Sequence, residues 1–200
     1  MTSQPGQQVS ERWAQWRRDI PLHEYHRRWE HLEADGTAPH GEVDFIVGYA
    51  PSTVLDAGCG MGRVAIELSR RGIDVDGVDL DDDLLAYARH DAPKLTWVHG
   101  DLVAVQMPRR YDLVAMPGNV MIFCRIDDRA PIVANMARHV LPGGRLVAGF
   151  SLDQQPGALT LAEYDAACEA AGLVLDERFS TWERALADDA GYAVSVHCPR

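Results

Sequence analysis

The sequence predicts an α/β fold, a doubly wound and mostly parallel sheet that ends in an antiparallel hairpin behind a helical N-terminal segment. Three observations predict it. From about residue 43 onward, short apolar runs alternate with longer helical stretches, the sign of parallel strands joined by crossover helices. A glycine-rich turn, Gly58-Cys59-Gly60-Met61-Gly62, separates the first strand from the helix that follows it. Two strand-like segments with a short link close the sequence, as in a hairpin.

The elements follow in order. Met1 to Ser10 is polar, lacks the basic-then-apolar pattern of a signal peptide, and reads as a disordered tip. Ser10 is placed to cap a helix carrying Trp13, Trp16 and Ile20, which Pro21 ends or bends. Tyr25, Trp29 and Leu32 mark a second helix, Gly36 to Gly41 a loop, and Val43 to Tyr49 a helix that stops before Pro51. The first strand is Thr53 to Asp56. Its helix runs from about Gly62 to Arg71, and Gly72 ends it. Val75 to Asp79 is the second strand, and Asp81 caps the helix of Leu84, Leu85 and Tyr87. Strands three and four are Leu95 to His99 and Tyr111 to Ala115.

Asp127 or Asp128 starts a helix predicted to run through Val140, and Pro142-Gly143-Gly144 reads as a tight turn into a fifth strand, Arg145 to Phe150. Thr160 to Glu163 is a capping box that opens a helix ending at Ala171 and Gly172. The hairpin strands are Leu173 to Trp182 and Tyr192 to His197, linked through Asp188, Asp189 and Gly191.

Composition narrows the function classes. With 46% hydrophobic and 24% charged residues over 200 positions, the chain can bury a full core without disulfides or metals. Cys59, Cys124, Cys168 and Cys198 are scattered and form no CxxC pair, so no metal is expected. No apolar run has the length of a membrane span, which makes a cytoplasmic protein with no membrane partner the expectation. A net charge of −11 disfavours a nucleic-acid partner, whose phosphates need Lys and Arg. The basic cluster from His23 to His31 is itself interrupted by Glu24 and Glu30.

The chemistry is concentrated in three places. In Val54-Leu55-Asp56-Ala57-Gly58-Cys59-Gly60-Met61-Gly62, glycines let the backbone turn sharply and approach a ligand, and the helix that follows directs free N–H groups to the same place. A dinucleotide fingerprint needs a small residue where Arg63 stands, so a nicotinamide-dependent oxidoreductase is disfavoured. Asp79 ends the second strand about 20 residues later, where a carboxylate suits two ribose hydroxyls. Asp101, in His99-Gly100-Asp101-Leu102, can accept from an exocyclic amine while an apolar neighbour covers the ring.

With Tyr111-Asp112-Leu113-Val114, Leu141-Pro142-Gly143-Gly144 and the hairpin, these motifs resemble, from about Phe45 to His197, the class I S-adenosylmethionine-dependent methyltransferases of small-molecule type. The resemblance implies a seven-stranded sheet of order 3-2-1-4-5-7-6 with its seventh strand antiparallel. It implies a Rossmann-like domain over 43–200 and a helical lid over 1–42. It also implies roles. Asp56, Gly58 and Gly60 would line the methionine part of S-adenosyl-L-methionine, and Asp79 would hold its ribose. Leu80 would pack on the adenine, Asp101 would bind the adenine amine with Leu102 beside it, and Pro117 to Asn119 would border the sulfonium and the substrate.

Met116-Pro117-Gly118-Asn119 is neither the (Asn/Asp)-Pro-Pro-(Tyr/Phe) segment of base or glutamine N-methylation nor a Pro-Cys pair. A small-molecule acceptor is therefore expected, in a monomer or homodimer, with a protein acceptor or a non-catalytic cofactor-binding protein as the alternatives. Asn119 and Trp29 are the candidate substrate residues. Tyr25 and His26 are the candidate catalytic ones, His because it titrates near neutral pH and Tyr through its aromatic face.

Overall fold

A computed structural model describes residues 9–35, 40–152, 157–186 and 191–200. Residues 1–8 of the expected disordered tip, 36–39 of the expected loop, and Asp188 and Asp189 of the hairpin link lie outside them.

The described chain runs α1 (Glu11–Asp19), α2 (Leu22–Ala34), α3 (Gly41–Val47), β1 (Thr53–Ala57), α4 (Arg63–Arg70), β2 (Asp74–Asp79), α5 (Asp82–Asp91), β3 (Thr96–His99), β4 (Tyr111–Met116) and α6 (Val120–Phe123). A 3-10 turn, Ile126–Asp128, then leads into α7 (Arg129–Arg138), β5 (Val140–Ser151), α8 (Leu161–Ala170), β6 (Leu173–Phe179) and β7 (Tyr192–Pro199). The seven strands are ordered β3-β2-β1-β4-β5-β7-β6. Pairings among β1 to β5 are parallel, and β7 is antiparallel to both β5 and β6.

The caps explain several boundaries. Ser10 accepts the N–H of Trp13, Asp81 accepts those of Asp83 and Leu84, and Thr160 with Glu163 forms the full capping box. One face of the sheet is covered by α3 and α4 through Phe45, Ile46, Val64 and Leu68. The other is covered by α7 and α8 through Ile132, Met136, Tyr164 and Cys168. With both faces covered, β1 and β4 are apolar and buried almost throughout.

Three expectations are corrected. The helix expected to reach Val140 stops at Arg138, and Val140 already pairs with Tyr111. Pro142-Gly143-Gly144 is a bulge inside β5, because Tyr111 faces Val140 while Leu113 faces Arg145. Pro142 has no N–H to give the ladder, Gly143 is left-handed at φ 79°, and a Cβ on Gly144 would stand 2.6 Å from the Asp112 carbonyl oxygen. The first hairpin strand ends at Phe179 rather than Trp182. Helix α6 and the 3-10 turn have no counterpart in the sequence reading, since both are short and carry no capping side chain.

Candidate functional site

The glycine turn is built as its composition requires. Gly58, Gly60 and Gly62 all take left-handed backbone, at φ 80°, 55° and 83°. The N–H groups of Gly58 and Cys59 donate to the Val78 carbonyl at 2.8 and 3.0 Å, which ties the turn to β2. Two of these glycines also make room for neighbours. A Cβ on Gly58 would strike Val120 of α6 at 2.6 Å, and one on Gly62 would strike Trp97 of β3 at 2.5 Å. Gly60 instead fronts open space, with Leu84 the nearest atom to its Cβ position at 3.9 Å.

Two carboxylates flank the turn. Asp56 is 1% exposed. Its Oδ2 accepts the Ala65 N–H at 3.1 Å, while its Oδ1 has no hydrogen-bond partner among the described residues. Burial pushes this carboxyl up to about 7, against the opposing pull of the Ala65 N–H and the Arg63 charge. Asp79 is equally constrained. Its Oδ2 accepts the Gly60 N–H at 2.8 Å and its Oδ1 the Asp81 N–H at 2.9 Å, and burial raises it to about 6 despite both bonds. The turns that follow β1 and β2 thus meet through one carboxylate.

Asp101 follows β3 and accepts the Val103 N–H at 2.9 Å, which shapes the turn. Leu102 is buried, and its carbonyl is held by Asn135 of α7 at 2.9 Å. Pro117 and Gly118 follow β4, and Val120 of α6 reaches back over Gly58.

These pieces enclose one cavity of about 650 Å³. All eight expected cofactor residues line it: Asp56, Gly58, Gly60, Asp79, Leu80, Asp101, Leu102 and Pro117. So do Tyr25, His26 and Trp29 of α2. A run of aromatic rings also lines the cavity. Phe123 meets Trp13 edge-on at 5.9 Å, Trp13 stacks on Trp16 at 4.9 Å, and Tyr25 stands between Trp16 and Trp29 at 5.8 and 6.2 Å.

The chain is similar to known proteins. The profile of a family described as Methyltransferase domain matches residues 54–144. A solved TehB-like SAM-dependent methyltransferase from Corynebacterium glutamicum is 36% identical at a TM-score of 0.80, over 90% of this chain and 100% of that one. The chain belongs to the S-adenosylmethionine-dependent methyltransferases.

Among curated relatives, the probable S-adenosyl-L-methionine-dependent methyltransferase TehB of Haemophilus influenzae is 32% identical over 155 residues, 74% of this chain and 52% of that protein. The dTDP-3-amino-3,4,6-trideoxy-alpha-D-glucopyranose N,N-dimethyltransferase of Streptomyces venezuelae is 30% identical over 97 residues, 48% of this chain and 41% of that protein. This methyltransferase spans about half the length of the first of these relatives. The expected strand order, with β7 antiparallel, is the one observed.

Not every candidate residue of the methyltransferase faces the cavity in the expected way. Asn119 does not line it. Its Oδ1 accepts the N–H and hydroxyl of Ser151 at 2.7 and 3.1 Å, so the side chain pins the post-β4 turn to β5. His26 lines the cavity, yet its Nε2 pairs with Asp91 at 2.6 Å and its ring leans on Tyr87 at 4.7 Å. Asp91 is the last residue of α5, the end away from Asp79, so the pair anchors α2 on that helix. Trp29 lies under the Arg63 guanidinium, 4.7 Å from its ring centroid, and its buried indole N–H has no partner among the described residues.

The sequence does not single out Trp97, Val120 or Phe123. A signal for Trp97 exists in the pair Gly62 and Gly77, since a Cβ on either would meet its ring at 2.5 or 2.4 Å. Phe123 offers no such signal, because its partners lie on a helix more than a hundred residues earlier. Among the described residues, no group of three or more His, Cys, Asp or Glu is placed to hold a metal ion, and no helix is long and apolar enough to cross a membrane.

Proposed function

We propose that this methyltransferase carries the methyl group of S-adenosyl-L-methionine to a small-molecule acceptor held against the aromatic wall. The observation that carries the reading is a single cavity lined at once by the motif carboxylates, the glycine turn and the rings of α1 and α2.

The residues fit the cofactor. The bare backbone at Gly60 leaves open space beside the turn. The unpaired, buried Oδ1 of Asp56 suits a ligand with cationic groups. Asp79 keeps lone pairs for two ribose hydroxyls, because each carboxylate oxygen accepts more than one donor. Leu80 would pack on the adenine, Asp101 would take its amino group with Leu102 beside it, and Pro117 would border the sulfonium. The bound cofactor supplies an activated methyl on an excellent leaving group, so the protein's work is alignment and exclusion of water.

The aromatic wall serves both tasks. Ring faces attract cations and give an apolar acceptor area without a charge to neutralise. The buried Trp29 N–H offers one hydrogen-bond donor for orienting an acceptor. Residues 1–42 act as the lid and 43–200 as the catalytic domain. A small acceptor accords with the amino-sugar substrate named for the Streptomyces relative, and a cytoplasmic monomer or homodimer completes the reading.

Calorimetric titration with S-adenosylmethionine and S-adenosylhomocysteine, with NAD as control, tests the cofactor. Radiolabelled methyl transfer to a panel of amines, phenols and thiols then tests the acceptor. Binding followed by transfer to a small molecule is expected. Adenosyl binding with transfer only to proteins would overturn the acceptor class, and no adenosyl binding by folded protein would overturn the whole reading.

A further inference from the structure

We propose that Arg17 is a positioning residue that couples closure of α1 to the carboxylate of Asp79. The inference rests on the adenosyl cofactor proposed above.

Helix α1 brings Trp13 and Trp16 to the cavity, yet it buries no residue completely. A helix with so little burial opens at low cost unless its ends are tied. One end is tied by the Ser10 hydroxyl, which donates to the Phe123 carbonyl at 2.5 Å. The other is tied by Arg17, whose Nε donates to Asp81 at 2.8 Å and whose second nitrogen reaches Asp83 at 2.6 Å. Arg18, the next residue, bonds Gln15 of its own helix instead. Helix α1 therefore bridges the post-β4 segment and the post-β2 turn.

The Arg17 contact continues inward. Asp81 uses one oxygen to cap α5 and the other to receive Arg17. Its own N–H donates to Asp79 Oδ1, and Asp79 Oδ2 receives Gly60. Arg17, Asp81, Asp79 and Gly60 thus form an unbroken path from the lid to the glycine turn. Fixing Asp81 from outside fixes the turn that aims Asp79. By linkage, a ligand that orders Asp79 favours the closed lid by the same factor. The Arg17–Asp81 pair is suited to this, with side-chain exposures of 30% and 12%, whereas Asp83 at 77% is left to solvent screening.

The test measures S-adenosylhomocysteine affinity and dissociation rate in wild type, R17Q, R17K, D81N and the R17Q/D81N double variant, with melting temperatures of the unliganded proteins. Asparagine at 81 keeps the helix cap and removes the charge. R17Q is expected to bind about tenfold more weakly, through faster release, while R17K recovers most of the loss. The double variant should be no weaker than the poorer single variant, and unliganded melting should stay near wild type. Binding by R17Q within twofold of wild type, or additive losses in the double variant, would overturn the coupling alone. No binding by wild type would overturn the cofactor reading and the coupling with it.

Discussion

Val120 sits directly over Gly58, so close that a Cβ on the glycine would stand 2.6 Å from a Val120 methyl group. Gly58→Ala should therefore suffer twice, from the clash and from the left-handed φ of 80°. Adenosyl binding is expected to fall at least tenfold. Adding Val120→Ala should recover part of it, because only the clash is relieved. Calorimetry on the single and double variants checks this, and identical affinities for the two would show that the Val120 contact is immaterial.

Asp79 receives a backbone N–H on each oxygen. In Asp79→Asn one of those amides must face an NH₂ group, leaving a donor unsatisfied at about 1–3 kcal/mol. The variant should bind S-adenosylhomocysteine at least tenfold more weakly. Wild-type affinity in a folded variant would rule out the ribose role.

The carboxyl groups at the site set a pH dependence. Asp56 titrates at about 7 and Asp79 at about 6, both raised by burial from 3.8. The folded chain holds these protons more tightly than the unfolded one. Their contribution to stability is therefore full below about pH 4 and lost as pH rises through 6 and 7. Asp56→Asn removes the group with the higher value. Without ligand, the variant should melt close to wild type at pH 5 and progressively above it toward pH 8. Thermal unfolding across that range measures the difference, and a gap that stays constant with pH would defeat the buried-charge explanation.

Trp97 lies across two glycines and donates its indole N–H to the Ala92 carbonyl at 2.9 Å. Gly77→Ala, in the middle of β2, would bring a methyl group to 2.4 Å from the ring. A destabilisation of about 1–3 kcal/mol is expected from overpacking, read as a shifted urea midpoint at unchanged slope. Unchanged stability would mean that the ring moves freely.

What the sequence discloses is what lies close along the chain. Asp56 and the three glycines sit within seven residues, and the caps at Ser10, Asp81 and Thr160 each act on residues two or three places away. That the eight cofactor candidates share one cavity was legible because a strand end followed by a turn fixes where a side chain stands. The rest was set by contacts between distant segments. Asn119 looks available in sequence, but its amide oxygen is taken by Ser151, 32 residues on. His26 looks like a free base, but Asp91 claims it from a helix 65 residues away. The Pro142-Gly143-Gly144 segment has the composition of a turn and becomes a bulge, because β4 lies alongside and its Asp112 carbonyl requires a bare backbone there.

The strand order has a consequence for how the chain is made. β7 follows β6 in sequence but lies between β5 and β6 in the sheet. As the polypeptide emerges from the ribosome, β1 to β5 can pair as soon as each is available, whereas β6 has no strand to join. It must wait with Val174 and Leu175, still partly exposed in the finished fold, uncovered. Completion of the sheet therefore depends on residues 192–199 arriving and inserting. Until then β5 presents an open edge to any neighbouring nascent chain, which makes this interval the point of greatest exposure to misassembly.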